Sequence, residues 1–154
     1  MSSTALKPDA RPGLGTLLRL ASQVMTEQFS RWIGESGFEG VQPAHSAVIQ
    51  PLWERPEGAR VTALARASRI TKQSMSTLVS DLETAGYVER VEDPEDARAV
   101  RVRLTGRGRA YARAVRAFVR TIEAQWSDQV GAHRIEELRV TLELLRTRVF
   151  LASE

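Results

Sequence analysis

The stretch LARASRITKQSMSTLVSDLETAGYVERVEDPEDARAVRVRLTGRG, residues 64–108, decides the fold of this 154-residue chain. Its first half predicts two short helices, with Thr62 placed to cap the first and Thr71 to cap the second. The second helix has one apolar face with i, i+3, i+4 and i+7 spacing, formed by Met75, Leu78, Val79 and Leu82. Gly86 then ends this helix as a left-handed cap residue. Two helices joined only by residues 68–70 predict a helix-turn-helix.

After Gly86 the apolar side chains alternate with a period of two, which predicts β-strands over residues 87–92 and 99–104. The polar sequence DPEDAR, residues 93–98, lies between them and predicts a turn. A β-hairpin directly after a helix-turn-helix makes a winged helix, in which the hairpin is the wing.

The flanking segments predict amphipathic helices that begin near Pro12, at Pro43, after a Thr105 cap and after a break at Gly131. We therefore expect a mainly α fold with a small β-hairpin wing, in which a winged helix-turn-helix lobe carries N- and C-terminal dimerisation helices. The predicted segments are a flexible tail (1–11), N-terminal helices that also form a pocket wall (12–54), the winged helix-turn-helix lobe (55–105) and C-terminal dimerisation helices (106–154).

The distribution of charge is more informative than the total. The chain has 22 basic and 19 acidic side chains, which gives a net charge of +3. Residues 55–113 carry +4, whereas residues 1–54 carry −1 and residues 114–154 carry zero. This pattern predicts that the middle third of the chain meets a polyanion and that the flanks do not.

Several features of residues 64–108 resemble the MarR family of bacterial transcription regulators. The pattern LE–G–VER within residues 82–90 is similar to the end of the family's recognition helix, and DPEDAR followed by LT and Gly108 is similar to its wing. Arg69 departs from the family, which usually has glycine in this turn, and a left-handed backbone disfavours arginine. The resemblance implies a homodimeric transcriptional regulator. It further implies a repressor whose affinity for DNA is lowered by a small anionic or aromatic effector.

The outer face of the second helix is small, polar and mostly uncharged, as a helix in the DNA major groove requires; it comprises Thr71, Lys72, Gln73, Ser76, Thr77 and Ser80. Gln73 can offer a bidentate amide to adenine, and Lys72 can reach guanine or phosphate. Most polar helix faces are only solvated, and it is the flanking motifs that favour DNA contact here.

The wing carries the second set of predicted DNA contacts. Arg98, at the predicted tip, can enter a narrow minor groove, where the negative potential is enhanced. Asp96 can orient the Arg98 guanidinium through a bidentate pair, and their spacing matches the family's wing pair. Arg90 and Arg101 are further candidates, either as phosphate contacts or as solvent-facing strand residues.

The first and the last two helices carry more apolar surface than the lobe can cover, which predicts a homodimer. Two-fold symmetry would place two recognition helices one DNA turn apart on double-stranded DNA with a palindromic operator. Trp32, His45 and Trp53 are candidates for an effector pocket, because an indole and an imidazole can stack on and neutralise a small anionic or aromatic ligand. Each of these residue types is more often found in a core or at a rim than in a ligand pocket.

Other classes of function lack support in the sequence. The chain has no cysteine and only two histidines, which lie in separate helices without a clustered acid, so we expect no metal site, no cofactor and no thiol chemistry. It also lacks the nucleophile-elbow, phosphate-loop and dinucleotide-binding motifs, so we do not expect an enzyme.

No apolar run reaches the roughly 18 residues of a membrane span, and the polar start lacks a secretory signal. We expect a cytoplasmic bacterial protein associated with the nucleoid and no membrane partner. The alternative function is a winged helix that binds another protein without binding DNA, although such a surface is expected to carry aromatic anchors.

Overall fold

The computed structural model describes residues 11–150, so the predicted flexible tail lies outside the described residues except for Arg11. A 3-10 turn, Pro43–His45, leads into the second helix, and a π-helical turn, Arg146–Phe150, follows the last. The elements are α1 (Leu14–Glu35), α2 (Ser46–Leu52), α3 (Val61–Ser68), α4 (Lys72–Thr84), β1 (Val88–Asp93), β2 (Asp96–Leu104), α5 (Gly106–Val130) and α6 (Ala132–Leu145). The predicted mainly α fold with a hairpin wing is confirmed.

Helices α3 and α4 form the helix-turn-helix around Arg69. This residue adopts φ 53° and ψ 41°, a left-handed conformation that costs an arginine roughly 1–2 kcal/mol. Thr71 caps α4 as predicted, because its hydroxyl oxygen accepts a hydrogen bond from the Ser74 amide at 3.1 Å. The predicted cap of α3 is wrong: Arg60 takes the N-cap position without a side-chain cap bond, and Thr62 lies inside the first turn.

The apolar face of α4 is buried as predicted. Met75, Val79 and Leu82 are fully buried, and Leu78 is half-buried. Gly86 ends this region with φ +79°, the left-handed conformation that its position after the helix requires. The burial of this face leaves the opposite face of α4 in solvent.

Strands β1 and β2 pair antiparallel, but the turn between them is shorter than the sequence predicts. Asp93 ends β1 and Asp96 begins β2, so only Pro94 and Glu95 form the turn, and Arg98 lies within β2. The physical reason is local hydrogen bonding: the Asp93 carboxylate accepts a bond from the Glu95 amide at 3.0 Å, which closes the chain reversal within two residues.

The base of the hairpin is joined by a third backbone segment. Ala59 and Val102 exchange two backbone hydrogen bonds, each 2.9 Å long. Gly58 precedes this contact with φ +82°, and a Cβ at this position would overlap the carbonyl group of Val102. The loop before α3 is therefore pinned to β2, and only glycine fits the approach.

The fully buried Tyr87 lies where the lobe meets the rest of the chain. Its amide donates to the Leu82 carbonyl at 2.8 Å, and its carbonyl accepts from the Thr105 amide at 3.0 Å. Its hydroxyl donates to the Glu39 carbonyl at 2.8 Å. Its ring packs edge-on against Tyr111, with 5.4 Å between centroids. One residue thus connects α4, the hairpin, α5 and the loop after α1.

The flanking helices are long and largely uncovered. Thr105 caps α5 through the Gly108 amide at 3.1 Å, and Gly131 separates α5 from α6, both as predicted. Neither α1 nor α6 has a fully buried residue. Their exposed apolar side chains include Leu14, Leu17, Leu18, Leu20, Val24, Leu138, Val140, Leu142 and Leu144.

The pinned loop predicts a difference between two glycines that share a left-handed backbone. Gly86→Ala meets no atom within 4 Å, so it should cost only the conformational penalty of about 1–2 kcal/mol. Gly58→Ala pays the same penalty and must also displace Val102, so we expect a loss of about 4 kcal/mol or more. Urea unfolding at equal protein concentration compares them, and equal losses would contradict the close approach.

Candidate nucleic-acid interface

The solvent face of α4 holds the predicted recognition residues. Lys72, Gln73, Thr77 and Ser80 are exposed, and Ser76 is half-buried. Within the described part of the chain, the side chains of Lys72, Gln73 and Ser80 make no hydrogen bond or ion pair. Their hydrogen-bonding groups are thus available to an external partner.

The two threonines of this face are partly engaged within the helix. The Thr71 hydroxyl accepts from the Ser74 amide and donates to the Ser74 hydroxyl at 2.9 Å. The Thr77 hydroxyl donates to the Gln73 carbonyl at 3.2 Å. Thr71 therefore positions the start of α4, whereas Thr77 retains lone pairs that can accept a hydrogen bond from outside.

Arg98 and Asp96 are both exposed near the tip of the wing, but they contact each other through the backbone. Asp96 accepts a hydrogen bond from the Arg98 amide at 3.1 Å and does not pair with its guanidinium. Among residues 11–150 no ion pair engages the Arg98 guanidinium. The predicted bidentate pair is therefore absent here, and the arginine side chain projects as an uncompensated cation.

The other two predicted wing arginines are ion-paired. The Arg90 Nε lies 3.0 Å from a carboxylate oxygen of Glu83. Arg101 is only 17% exposed and lies 3.2 Å from Asp93 and 2.8 Å from Glu95. Arg101 is therefore an internal contact of the wing, and neither arginine is an unpaired surface cation.

The structure also identifies Arg60, which the sequence analysis did not single out. Its Nε donates to the buried Asp93 carboxylate at 2.6 Å, and its Nη2 lies 3.8 Å from Asp96. Hydrogen bonds from the Glu95 amide and from Arg60 lower the pKa of Asp93 to about 2. Arg60 and Asp93 are 33 residues apart, so no local spacing could have predicted their contact.

The three candidate effector residues lie in different surroundings. Trp32 stacks on Phe118, with 5.0 Å between ring centroids. His45 is 2% exposed; its Nδ1 accepts from the Gln42 amide at 3.0 Å, and its Nε2 lies 3.9 Å from Asp81 of α4. Burial lowers the pKa of His45, partly offset by Asp81. His45 is thus a buried structural contact to the recognition helix.

A cleft between α1, α2 and α5 adjoins a narrow void that Trp53 lines. The cleft has a volume of about 150 Å³ and is lined by Met25, Thr26, Phe29, Pro43, Ser46, Gln50, Val115, Phe118 and Val119. The buried Trp53 indole N–H and Tyr111 hydroxyl have no hydrogen-bond partner among the described residues, and both residues line the void together with Phe29, Ser46 and Gln50. The cleft therefore has largely apolar walls, and two unsatisfied polar groups lie in the void next to it.

No group of three or more His, Cys, Asp or Glu side chains within residues 11–150 is arranged to hold a metal ion. No helix in this part of the chain is long and apolar enough to cross a membrane.

Comparison with known proteins agrees with the geometry. A sequence profile described as MarR family matches residues 39–99, which include the helix-turn-helix and most of the wing. The HTH-type transcriptional repressor Rv2887 of Mycobacterium tuberculosis is 35% identical over 117 residues, which cover 68% of this chain and 84% of that protein.

Solved structures give the same assignment. The M. tuberculosis MarR family protein Rv2887 in complex with salicylic acid aligns with a TM-score of 0.65 at 31% identity, covering 89% of this chain and 98% of that chain. A probable transcriptional regulator from Pseudomonas aeruginosa aligns with a TM-score of 0.71 at 29% identity, covering 86% of this chain and 96% of that chain. The match in sequence, fold and order of elements is sufficient: the chain belongs to the MarR family of transcriptional regulators.

Proposed function

We propose that this protein is a homodimeric transcriptional repressor that binds a palindromic operator in double-stranded DNA and is released by a small anionic or aromatic effector. The observation that carries the proposal is the solvent face of α4, where the side chains of Lys72, Gln73 and Ser80 have no internal partners among residues 11–150 and lie opposite a buried apolar face. We place its site of action in the cytoplasm at the nucleoid, and its role in regulation without catalysis.

The contacts follow from side-chain chemistry. Gln73 pairs with adenine through its amide, and Lys72 with guanine or a phosphate. Ser76, Thr77 and Ser80 are short enough to let the helix approach the base edges. Arg98 enters the minor groove beside the major groove that α4 occupies.

The exposed leucines and valines of α1 and α6 support the homodimer. An isolated chain would leave these side chains of both helices in water. Burial of apolar surface stabilises an association by about 25 cal/mol per Å². A second copy covers them through a two-fold axis and presents two recognition helices about 34 Å apart, which is one turn of DNA.

The cleft between α1, α2 and α5 supports the effector. The relative Rv2887 has been solved in complex with salicylic acid. An aromatic acid has a flat ring that suits the apolar walls of the cleft, and its acceptor oxygens would meet the Trp53 N–H if the ligand widens the narrow void that adjoins the cleft. Trp32 stacks on Phe118, which lines the cleft. His45 contacts Asp81 and so links the helical turn at the edge of the cleft to α4. Ligand entry would thereby act on the elements that hold the recognition helix.

Selection of bound duplexes from a random DNA pool tests the function. We expect a palindrome with half-site centres about 10 base pairs apart and an affinity that falls steeply with salt, because phosphate contacts release counterions. The alternative, a winged helix that binds a protein without binding DNA, predicts no enriched sequence and no binding even at low salt.

Arg98→Ala should weaken binding to the selected operator by about tenfold or more, because loss of one such groove contact costs about 1–3 kcal/mol. The control is Arg113→Ala, which also removes an exposed charge, but from α5 and away from the wing. Fluorescence anisotropy at physiological salt measures both. Equal affinities for Arg98→Ala and the unchanged protein would remove Arg98 from the interface.

Salicylate should dissociate the operator complex, and Trp53→Phe should raise the salicylate concentration needed by about tenfold, because one buried donor to a carboxylate is lost. Trp126→Phe is the control, since Trp126 lines a different groove between α5 and α6. If Trp53→Phe responds like the control, the indole N–H does not hold the effector.

A further inference from the structure

Arg60 occupies a position where its side chain has no local benefit. It is the N-cap of α3 and makes no side-chain cap bond. N-cap positions favour Ser, Thr, Asp and Asn, and a positive charge at a helix N-terminus opposes the helix dipole. A residue that breaks local preference is expected to serve a contact made elsewhere in the fold.

That contact spans the turn of the wing. The Arg60 Nε donates to Asp93, the last residue of β1, and its Nη2 lies 3.8 Å from Asp96, the first residue of β2. Asp96 in turn accepts a hydrogen bond from the Arg98 amide at 3.1 Å. The Arg60 guanidinium, at the start of α3, therefore contacts both strands of the wing close to Arg98.

The Asp93 carboxylate is fully engaged. Its side chain is 0% exposed; one oxygen meets Arg60, and the other meets the Glu95 amide at 3.0 Å and Arg101 at 3.2 Å. A buried carboxylate of this kind stays ionised only while its partners remain, so removal of one cation leaves a charge that is only partly compensated. Arg60 and Arg101 are thus held in a fixed geometry around one anion.

This anion-centred network attaches the turn end of the wing to the lobe. The base of the hairpin is attached separately, by the backbone contact between Ala59 and Val102 and by the ion pair between Arg90 and Glu83 of α4. A two-stranded hairpin is at best marginally stable alone, so the direction of its turn relative to α3 and α4 depends on what holds it. Contacts at the base leave the turn end free to bend, whereas the Arg60 contact fixes it.

We propose that Arg60 is a positioning residue for DNA binding: it clamps the wing to the start of α3, so that Arg98 is oriented toward DNA before the complex forms. The proposal rests on the DNA-binding function proposed above. Prior ordering matters because each side chain or loop that is immobilised on binding lowers affinity. Arg60 itself has no contact with DNA in this account.

The test compares Arg60→Gln with Arg103→Gln on the selected operator duplex. The two arginines are matched in contact and in exposure. The Nε of each pairs with a carboxylate, and their side chains are 44% and 45% exposed. Arg103 pairs with Glu89 near the base of the hairpin and does not reach the turn. We expect Arg60→Gln to lower affinity about tenfold, and Arg103→Gln to lower it by no more than about threefold.

Two readouts separate positioning from a direct contact. A phosphate contact would lower the slope of log affinity against log salt by about 0.9 on removal, whereas a positioning residue leaves the slope unchanged. In an Arg98→Ala background, Arg60→Gln should have less than about a twofold effect, because its effect is transmitted through Arg98. The effect of Arg103→Gln should be the same in both backgrounds.

Native-state hydrogen exchange supplies a readout that does not involve DNA. Arg60→Gln should raise the exchange of the wing amides, residues 95–100, while α4 keeps its protection. If Arg60→Gln unfolds, Arg60→Lys, which keeps the charge but loses the two-armed geometry, takes its place with the same expectations. A reduced salt slope, additive effects with Arg98→Ala or unchanged wing exchange would each overturn the proposal. Absence of binding by the unchanged protein would overturn the proposed function itself.

Discussion

The fold depends on the burial of Tyr87 at the junction of four segments. Its backbone continues from the end of α4 into β1 and accepts a bond from the start of α5, while its hydroxyl reaches the loop after α1. Gly108 packs against the Tyr87 carbonyl so closely that a Cβ would overlap it. Because one residue fixes all these directions, α4 and the wing are held relative to the long helices on which the proposed dimer contacts lie.

Ion pairing distinguishes four arginines of the lobe from two other basic side chains of the predicted DNA-facing surface. Arg60, Arg90, Arg101 and Arg103 are paired with carboxylates of the lobe. Lys72 and Arg98 have no carboxylate partner within residues 11–150. One of these two cations lies on the helix that would enter the major groove, and the other lies on the wing. The paired arginines help to shape the surface that carries these two cations.

The sequence predicts the local elements well because their signals are local. The apolar spacing of α4, the Thr71 and Thr105 caps and the glycine breaks at 86 and 131 each depend on residues within one or two turns. It overestimates the length of the wing turn, because the hydrogen bond from the Glu95 amide to the Asp93 carboxylate reverses the chain within two residues. It misses Arg60 and cannot distinguish buried His45 from a pocket residue, because both depend on partners more than 30 residues away.

The central claim is that α4 and the wing act together on DNA, in two copies related by two-fold symmetry. A dimethyl sulfate protection footprint of the protein on its selected operator tests this most directly, because the reagent methylates guanine N7 in the major groove and adenine N3 in the minor groove and so reports which groove is covered. The account predicts two major-groove windows about 10 base pairs apart, each with an adjacent protected minor-groove segment that Arg98→Ala exposes. A single asymmetric window, or protection without any minor-groove component, would contradict it.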